Sequence, residues 1–350
     1  MRVLILFSLL FPLAAGPLAK AVSARVEPRL GTWLMTGAAL LLAGTSCGAL
    51  GLLVLSPLVQ MAWVANLGHW SSSIMSGAGL PGGWTSLVAA VALGAALLAA
   101  VAFAVRRGRA LTDAWQHARS LPGHGELVVT EDAAADAYAV PGWPGRIVVS
   151  EGMLGALDDR GRAALLAHER AHLTNHHHWF TAVARLAASA NPLVRPLASA
   201  VEYSVERWAD EAAAAEVGDR YLVACAIANA AIAAKATKAK TAMTGALAMI
   251  GSGICSRVTG RRRALAWMPG RNDQLAGAGP VPRRVAALLA PAPTSRHSLP
   301  TLAVSLLFLG AVVACALVAA DHLQDLLSFA HATVDRSQGL RSRPGSSTLS

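Results

Sequence analysis

The stretch that decides the fold is Ala163-Ala164-Leu165-Leu166-Ala167-His168-Glu169-Arg170-Ala171-His172. Two histidines four residues apart lie on the same face of a helix, so both imidazoles can bind one metal ion. The apolar approach to His168 predicts that this face is buried. Such a pair suits zinc, and the adjacent Glu169 suits a general base. Because the five-residue pattern also occurs by chance on surface helices, further ligands are needed to support a zinc site.

A second acidic motif downstream supplies them. Glu206-Arg207-Trp208-Ala209-Asp210 places Glu206 and Asp210 on one helix face. Glu206 is the predicted third ligand, and Asp210 is predicted to orient a ligating histidine from outside the ligand set. His178, six residues after His172, is the alternative third ligand. The HExxHxxGxxH pattern needs glycine where this chain has Asn175, so Glu206 is favoured, and residues 176–178 are interpreted as an interfacial histidine patch.

The composition predicts a membrane protein with room for one modest extramembrane domain. The chain is 54% hydrophobic and only 14% charged, which excludes a disordered protein. A membrane-spanning helix needs about 20 mainly apolar residues. Four segments are predicted to span, namely residues 3–18, 33–55, 84–105 and 302–320. The first is either a retained span or a cleavable signal peptide, and the retained span is favoured because other spans follow closely.

Basic residues predict the orientation of these spans. Lys20, Arg25 and Arg29 lie between the first two spans, and an Arg-rich run follows the third. By the positive-inside rule, the N-terminus and C-terminus are outside and the long middle region is inside. The same rule accounts for the net charge of +10 without nucleic-acid binding, and no nucleic-acid partner is expected.

The middle region is predicted to be an α+β unit. Short β-branched runs at residues 127–130 and 146–150 predict strands, with 137–140 as a third. A helix begins near Asp158 and Asp159, and further helices are predicted at 203–217 and 222–234. Residues 179–200, broken at Asn191-Pro192, predict a helix pair lying against the bilayer. The predicted parts are a membrane region (1–105), a cytoplasmic zinc domain (106–256), a basic connector (257–300), a last span (301–321) and a short extracytoplasmic tail that does not fold (322–350).

These motifs, with the lead-in at residues 137–152, resemble the integral-membrane zinc peptidases, which include HtpX, the CAAX prenyl protease and the BlaR/MecR antibiotic-sensor peptidases. Three spans, a zinc domain and a fourth span are most similar to the BlaR/MecR-like group. The resemblance implies a helical membrane protein with a cytoplasmic α+β gluzincin domain. It implies one Zn2+ ion per chain on His168, His172 and Glu206, with Glu169 catalytic. It also implies an edge strand that pairs with extended substrate, formed by Arg146, Ile147, Val148, Val149 and Ser150.

Two departures from these relatives matter. BlaR/MecR proteins carry a large extracellular penicillin-binding domain after the last span, and only residues 321–350 follow it here, so direct β-lactam sensing is not expected. The HtpX-like group has a His-Pro segment ahead of an Arg-containing helix. Arg283 and Arg284 resemble that helix but no histidine closely precedes them. Arg283, Arg284 and His297 therefore stay open as candidates for stabilising the oxyanion.

The favoured function is a membrane-anchored zinc endopeptidase that acts on a cytosolic regulator or a membrane protein. Its partners would be a peptide or protein substrate and the lipid bilayer, and the sequence leaves the oligomeric state open. The alternative is a non-catalytic receptor or adaptor with a structural zinc site. Structural sites prefer four protein ligands, often cysteines, and the four cysteines of this chain (Cys47, Cys225, Cys255 and Cys315) all lie far from His168 in sequence.

Overall fold

The computed structural model describes residues 2–61, 83–120, 125–142, 145–243, 279–291 and 298–341. The chain is mostly helical. We number the helices α1 to α11 and the strands β1 to β3 in chain order. Their bounds are α1 Arg2–Leu10, α2 Ala15–Arg25, α3 Pro28–Gln60, α4 Trp84–Ser120, β1 Leu127–Thr130, β2 Ala137–Val140, β3 Arg146–Ser150, α5 Glu151–Gly155, α6 Asp159–Thr174, α7 His177–Ala190, α8 Arg195–Val217, α9 Arg220–Met243, α10 Pro280–Leu289 and α11 Leu299–Arg341. Two short 3-10 turns, Phe11–Ala14 and Pro192–Val194, join α1 to α2 and α7 to α8.

The chain divides into two compact units. The first, the membrane unit, contains Met1–Gly108, Phe180–Glu202 and Thr294–Ser350. Among the described residues, four helical segments are long and apolar enough to cross a membrane: Val3–Arg25, Pro28–Pro57, Trp84–Ser120 and Leu299–His322. The protein is therefore a multi-pass membrane protein.

The first hydrophobic segment packs within the membrane unit. Ile5, Ala15 and Val22 are buried, and the ring of Phe11 contacts that of Phe308 on α11 edge to face, with centroids 5.7 Å apart. These contacts pack the segment against the last span, and its retention as a span stays a prediction.

The last helix is longer than predicted. Helix α11 continues past the apolar stretch to Arg341, so the prediction that the tail does not fold is wrong for residues 321–341. The reason lies in the sequence, because residues 321–338 contain neither glycine nor proline to end the helix. The remaining tail residues, 342–350, lie outside the described residues.

The second unit, the zinc unit, contains Arg109–Trp179 and Tyr203–Pro293. Its sheet has three strands in the order β1-β3-β2. Strand β3 pairs in parallel with β1, with Val128 opposite Val148, and antiparallel with β2, with Tyr138 opposite Val148. Both faces of β3 are covered. Ile147 and Val149 pack against Met153 and Leu157, whereas Val148 packs with Val128, Val140 and Ala118.

This topology corrects the predicted role of the strand Arg146–Ser150. A strand that binds an extended peptide needs an unpaired backbone edge, and β3 has neighbours on both sides. The edge-strand prediction for Arg146, Ile147, Val148, Val149 and Ser150 is therefore wrong. Its near-continuous β-branched run is typical of a strand buried on both faces. In the described sheet the edge nearest the zinc motif is β2, which contacts α6.

Helix α6 begins where the sequence predicts. Asp158 is its N-cap, and its carboxylate accepts a hydrogen bond from the backbone N–H of Gly161 at 2.7 Å. Further along, small side chains pack α6 against α8 and α9. This alanine cluster includes Ala164 and Ala167 of α6 and Ala213 and Ala214 of α8.

Helix α10 lies inside the segment that the sequence assigned to a basic connector, and it belongs to the zinc unit. Arg220 holds its C-terminal end, because its guanidinium donates to the carbonyl oxygens of Leu288 and Ala287, each at 3.1 Å. A cation at a helix C-terminus satisfies carbonyls that have no partner within the helix. Most of the remaining connector lies outside the described residues.

Candidate metal centre

Three side chains from α6 and α8 converge. The Nε2 atoms of His168 and His172 are 3.1 Å apart. Glu206 places Oε2 at 3.7 Å from His168 Nε2 and Oε1 at 3.6 Å from His172 Nε2. These three residues form a group whose ligand atoms all lie within 4.8 Å of one another.

The separations fit zinc. Tetrahedral zinc with bonds of 2.0–2.1 Å to nitrogen and oxygen needs ligand atoms roughly 3.3 Å apart, and the three measured distances lie on either side of that value. Two imidazoles and one carboxylate also match the donor set of catalytic zinc sites, which leave a coordination position open. His168, His172 and Glu206 can therefore hold a metal ion without rearrangement of the backbone.

Asp210 and Arg284 form a second layer around the ligands. Asp210 Oδ1 lies 3.1 Å from His168 Nδ1, so His168 can donate from Nδ1 and present the Nε2 lone pair to the metal. Arg284 donates to both carboxylate oxygens of Asp210, at 2.8 and 2.6 Å, and its Nη1 lies 2.7 Å from Glu206 Oε2. One guanidinium thus orients two carboxylates of helix α8.

His177 occupies the corresponding position behind the second histidine ligand. Its Nδ1 lies 3.0 Å from His172 Nδ1, and its ring contacts the indole of Trp208, with centroids 4.7 Å apart. The side chain is buried, with 1% of its surface exposed. His177 follows His176, whose φ of +51° is left-handed. Strained backbone of this kind is common where a functional side chain must be aimed.

Glu169 is buried beside the ligands. Burial raises its pKa to about 7, although the positive charges of His168 and Arg284 and a backbone hydrogen bond from Ala139 oppose that shift. A carboxylate with a pKa near neutrality can both accept and release a proton at physiological pH.

The other titratable groups separate into charged and neutral ones. Burial disfavours charge on His168, but its hydrogen bonds to Asp210 and Glu206 outweigh burial and raise its pKa to about 9. Burial and the charge of His168 lower the pKa of His172 to about 4. For Glu206, burial acts upward, yet the hydrogen bond with His168 and the charge of Arg284 lower its pKa to about 2. In the metal-free protein at neutral pH, His168 therefore carries a second ring proton and a positive charge, whereas His172 is neutral and Glu206 is ionised.

A cavity of about 220 Å3 opens beside Glu169. Its polar lining includes His168, Glu169, Glu206 and Arg284. The rest is mainly apolar and is contributed by Ala137 of β2, by α5, α6 and α9, and by the start of α10. These apolar lining residues are Ala137, Met153, Ala164, Leu165, Val223, Ala226, Ile227, Ala230, Ala231, Ala234 and Val281.

The structure assigns different surroundings to the remaining candidates. His178 is outside the ligand group, and its ring contacts those of His176 and Trp179. Arg283 lies over the ring of Tyr203, at 4.3 Å from its centroid. His297 lies outside the described residues. Of the three oxyanion candidates, Arg284 is the one that the described structure brings to the ligand group.

Sequence reasoning missed the positions of His177 and Arg284 as partners of the ligands. The sequence alone groups His177 with His176 and His178 as an interfacial patch. The sequence does contain a signal for this contact. The helix that carries His172 ends at Asn175, so the chain can turn back there and bring His177 next to His172. Arg284 stands in a short amphipathic helix far along the chain, so its contact with Asp210 had no local signature.

Comparison with known proteins supports the metal chemistry. Residues 109–185 match the family model described as Peptidase family M48. No curated protein and no solved structure matched the chain. The matched range includes His168, Glu169 and His172 but ends before Glu206 and Asp210. Together with the ligand group, the match supports a membrane-associated zinc metalloprotease of the M48 family.

Proposed function

We propose that this protein is a membrane-anchored zinc endopeptidase in which His168, His172 and Glu206 hold one zinc ion and Glu169 is the catalytic base. The observation that carries the proposal is the convergence of His168, His172 and Glu206, whose ligand atoms lie within 4.8 Å of one another, next to a buried carboxyl group. Zinc bound there would polarise the scissile carbonyl and activate a water molecule.

The residues of the chain then have separate roles. Glu169 accepts the proton of the attacking water and delivers it to the leaving amine, for which a pKa of about 7 is well suited. Asp210 fixes the tautomer of His168, and His177 does the same for His172 as a positioning residue. Arg284 keeps Asp210 and Glu206 ionised and is the nearest cation for a developing oxyanion.

The substrate would lie extended along β2. Ser150 N–H donates to the carbonyl of Asp136 at 3.0 Å, so by the alternation of an antiparallel ladder Ala137 and Ala139 direct their backbone groups away from β3. A peptide could pair with that edge through the carbonyl oxygens of Ala137 and Ala139, since their N–H groups donate to Asp136 and Glu169. The apolar cavity beside Glu169 would then take one apolar side chain of medium size, so cleavage would depend on that side chain and little on the others.

The cellular setting follows from the charge pattern. Basic residues flank the spans in a way that supports a cytoplasmic zinc unit. Compared with the zinc domain predicted at 106–256, this unit lacks Phe180–Glu202 and gains α10. The substrate would be a cytosolic regulator or a membrane protein. A structural zinc site, the alternative, gains no support, since His177 contacts His172 at Nδ1 and not at the Nε2 that faces the other ligands.

The test combines metal stoichiometry with cleavage. The detergent-purified wild type is expected to hold one zinc per chain and to cleave a pool of fluorogenic peptides. Glu169→Gln should keep the zinc and lose cleavage, Glu206→Ala should lose both, and His178→Ala should keep both. Cleavage by Glu169→Gln, or full zinc binding by Glu206→Ala, would contradict the proposal.

A further inference from the structure

The segment Phe180–Glu202 belongs to the membrane unit although its flanking residues belong to the zinc unit. It is a helical hairpin made of most of α7, the 3-10 turn Pro192–Val194 and the start of α8. Its inward face is fully packed, since Ala184, Val194, Leu197 and Val201 are each 0% exposed. The hairpin contacts the membrane-spanning helices through Phe180, Asn191 and the turn Pro192–Val194.

Two contacts fix the hairpin along α3. Phe180 lies edge to face on Trp33, with ring centroids 4.7 Å apart. At the other end of the arm, Asn191 Nδ2 donates to Ser46 Oγ at 3.1 Å. At 1.5 Å rise per residue, the step from Trp33 to Ser46 is about 20 Å and that from Phe180 to Asn191 about 17 Å. The two helices therefore run side by side in the same direction.

The depth of the hairpin follows from the position of Ser46 in its span. Measured from Arg29, the basic residue at the start of α3, Ser46 lies about 25 Å along the helix, whereas the hydrocarbon core is about 30 Å thick. The tip Pro192–Val194 also contacts Phe11–Ala14, α2 and α3. Ser46 is two residues beyond the centre of the span predicted at 33–55, so the tip sits among the spans, close to the middle of the membrane.

Asn191 at the tip, and Arg185 and Glu202 between the arms, have polar partners. Asn191 accepts from the backbone N–H of Leu193 at 3.0 Å while its amide donates to Ser46. Ser46 Oγ in turn donates to the carbonyl oxygen of Leu42 at 2.8 Å and lies 3.3 Å from that of Ser8, so the hydrogen bond from Asn191 joins the hairpin to α3 at a point where α3 contacts the first span. Arg185 and Glu202 form an ion pair between the two arms.

We propose that Phe180–Glu202 is a re-entrant hairpin embedded in the bilayer, anchored by Asn191 and in contact with lipid acyl chains on its outward face. The backbone of a helical pair is satisfied internally, which lipid requires. Arg195 is exposed just after the tip, and its long side chain would extend from there toward the headgroups. The protein then has a fifth membrane element beyond its four spans, independent of any zinc chemistry.

A matched pair of probes on one helix tests this. Ser199 and Ala215 are both exposed small residues of α8, one in the hairpin and one in the zinc unit. Each is changed to cysteine (Ser199→Cys, Ala215→Cys) in a full-length background whose native cysteines are replaced, then spin-labelled in nanodiscs. We expect the label at 199 to collide with oxygen and be shielded from a water-soluble nickel chelate, with the reverse at 215. Equal access of the chelate to both would overturn the proposal.

A second measurement covers the packing itself. Ser46→Cys combined with Asn191→Cys should form a disulfide in membranes on mild oxidation, whereas Leu55→Cys, farther along α3, combined with Asn191→Cys should not. A hairpin lying on the membrane surface would give neither disulfide, and that result would also overturn the proposal.

Discussion

His177 should govern how tightly the second histidine ligand binds zinc. When the Nε2 of His172 faces the metal, its Nδ1 carries the proton and donates to Nδ1 of His177, 3.0 Å away. His177→Phe removes this acceptor while keeping an aromatic ring against Trp208. The change leaves a largely buried N–H of His172 without a partner.

The magnitude follows from that lost hydrogen bond. An unsatisfied buried donor costs about 1–3 kcal/mol, which corresponds to a fall in zinc affinity of about 5- to 150-fold, and loss of a residue behind a metal ligand typically costs 10- to 100-fold. We therefore expect a fall of about 10- to 100-fold, measured by competition with a chromophoric chelator on the detergent-purified protein. Circular dichroism should be unchanged.

Two matched variants separate positioning from packing. His177→Asn restores an acceptor and should recover most of the zinc affinity. Because asparagine fills less space than phenylalanine, such a recovery would come from the hydrogen bond and not from packing. His178→Phe changes the neighbouring histidine and should bind zinc as the wild type does. The expected loss of zinc affinity in His177→Phe is at least about 10-fold. If this variant bound zinc within about twofold of the wild type, His172 would not depend on His177 and the reasoning would be refuted.

Three further predictions concern the same site. Arg284→Met leaves the carboxylates of Asp210 and Glu206 without their cation, so the metal-free protein should lose about 3 kcal/mol of stability; thermal unfolding should show a smaller loss with zinc bound, and equal losses would contradict this role. Zinc must displace a proton from His168, whose pKa is about 9. The apparent zinc affinity should therefore rise about tenfold from pH 7 to 8 and level off above pH 9. A zinc affinity that does not change with pH over this range would contradict the raised pKa. Ala230→Leu narrows the cavity and should lower kcat/KM for peptides with large apolar side chains more than for peptides with alanine. Ala236→Leu, on the exposed side of α9, should change neither value. If Ala230→Leu left the preference unchanged, the cavity would have no role in substrate binding.

The sequence predicted the parts of the fold that depend on local periodicity. Uniform apolar runs gave the spans, and the four-residue spacing of His168 and His172 placed both on one helix face. The spacing of Glu206 and Asp210 did the same on α8. These features needed no knowledge of how distant segments meet, because helix geometry alone determines which side chains share a face.

Pairing between distant segments was beyond that reasoning. The run Arg146–Ser150 contains four consecutive buried residues, a pattern that suits a central strand, but which neighbours flank it is decided by strand order. The same holds for Arg284, whose partners Asp210 and Glu206 lie on a helix far earlier in the chain. Such contacts are selected by charge and packing in the folded state.

The small side chains of the alanine cluster affect the distance between α6 and α8, the two helices that carry the metal ligands. Methyl groups at Ala164, Ala167, Ala213 and Ala214 let the helix bearing the imidazoles approach the helix bearing the carboxylate closely. A valine at any of these places would push the two apart and lengthen the gap between nitrogen and oxygen donors. Zinc needs its nitrogen and oxygen donors at about 2.0–2.2 Å, so a wider gap would weaken zinc binding, and the zinc affinity therefore depends partly on side chains that do not contact the ion.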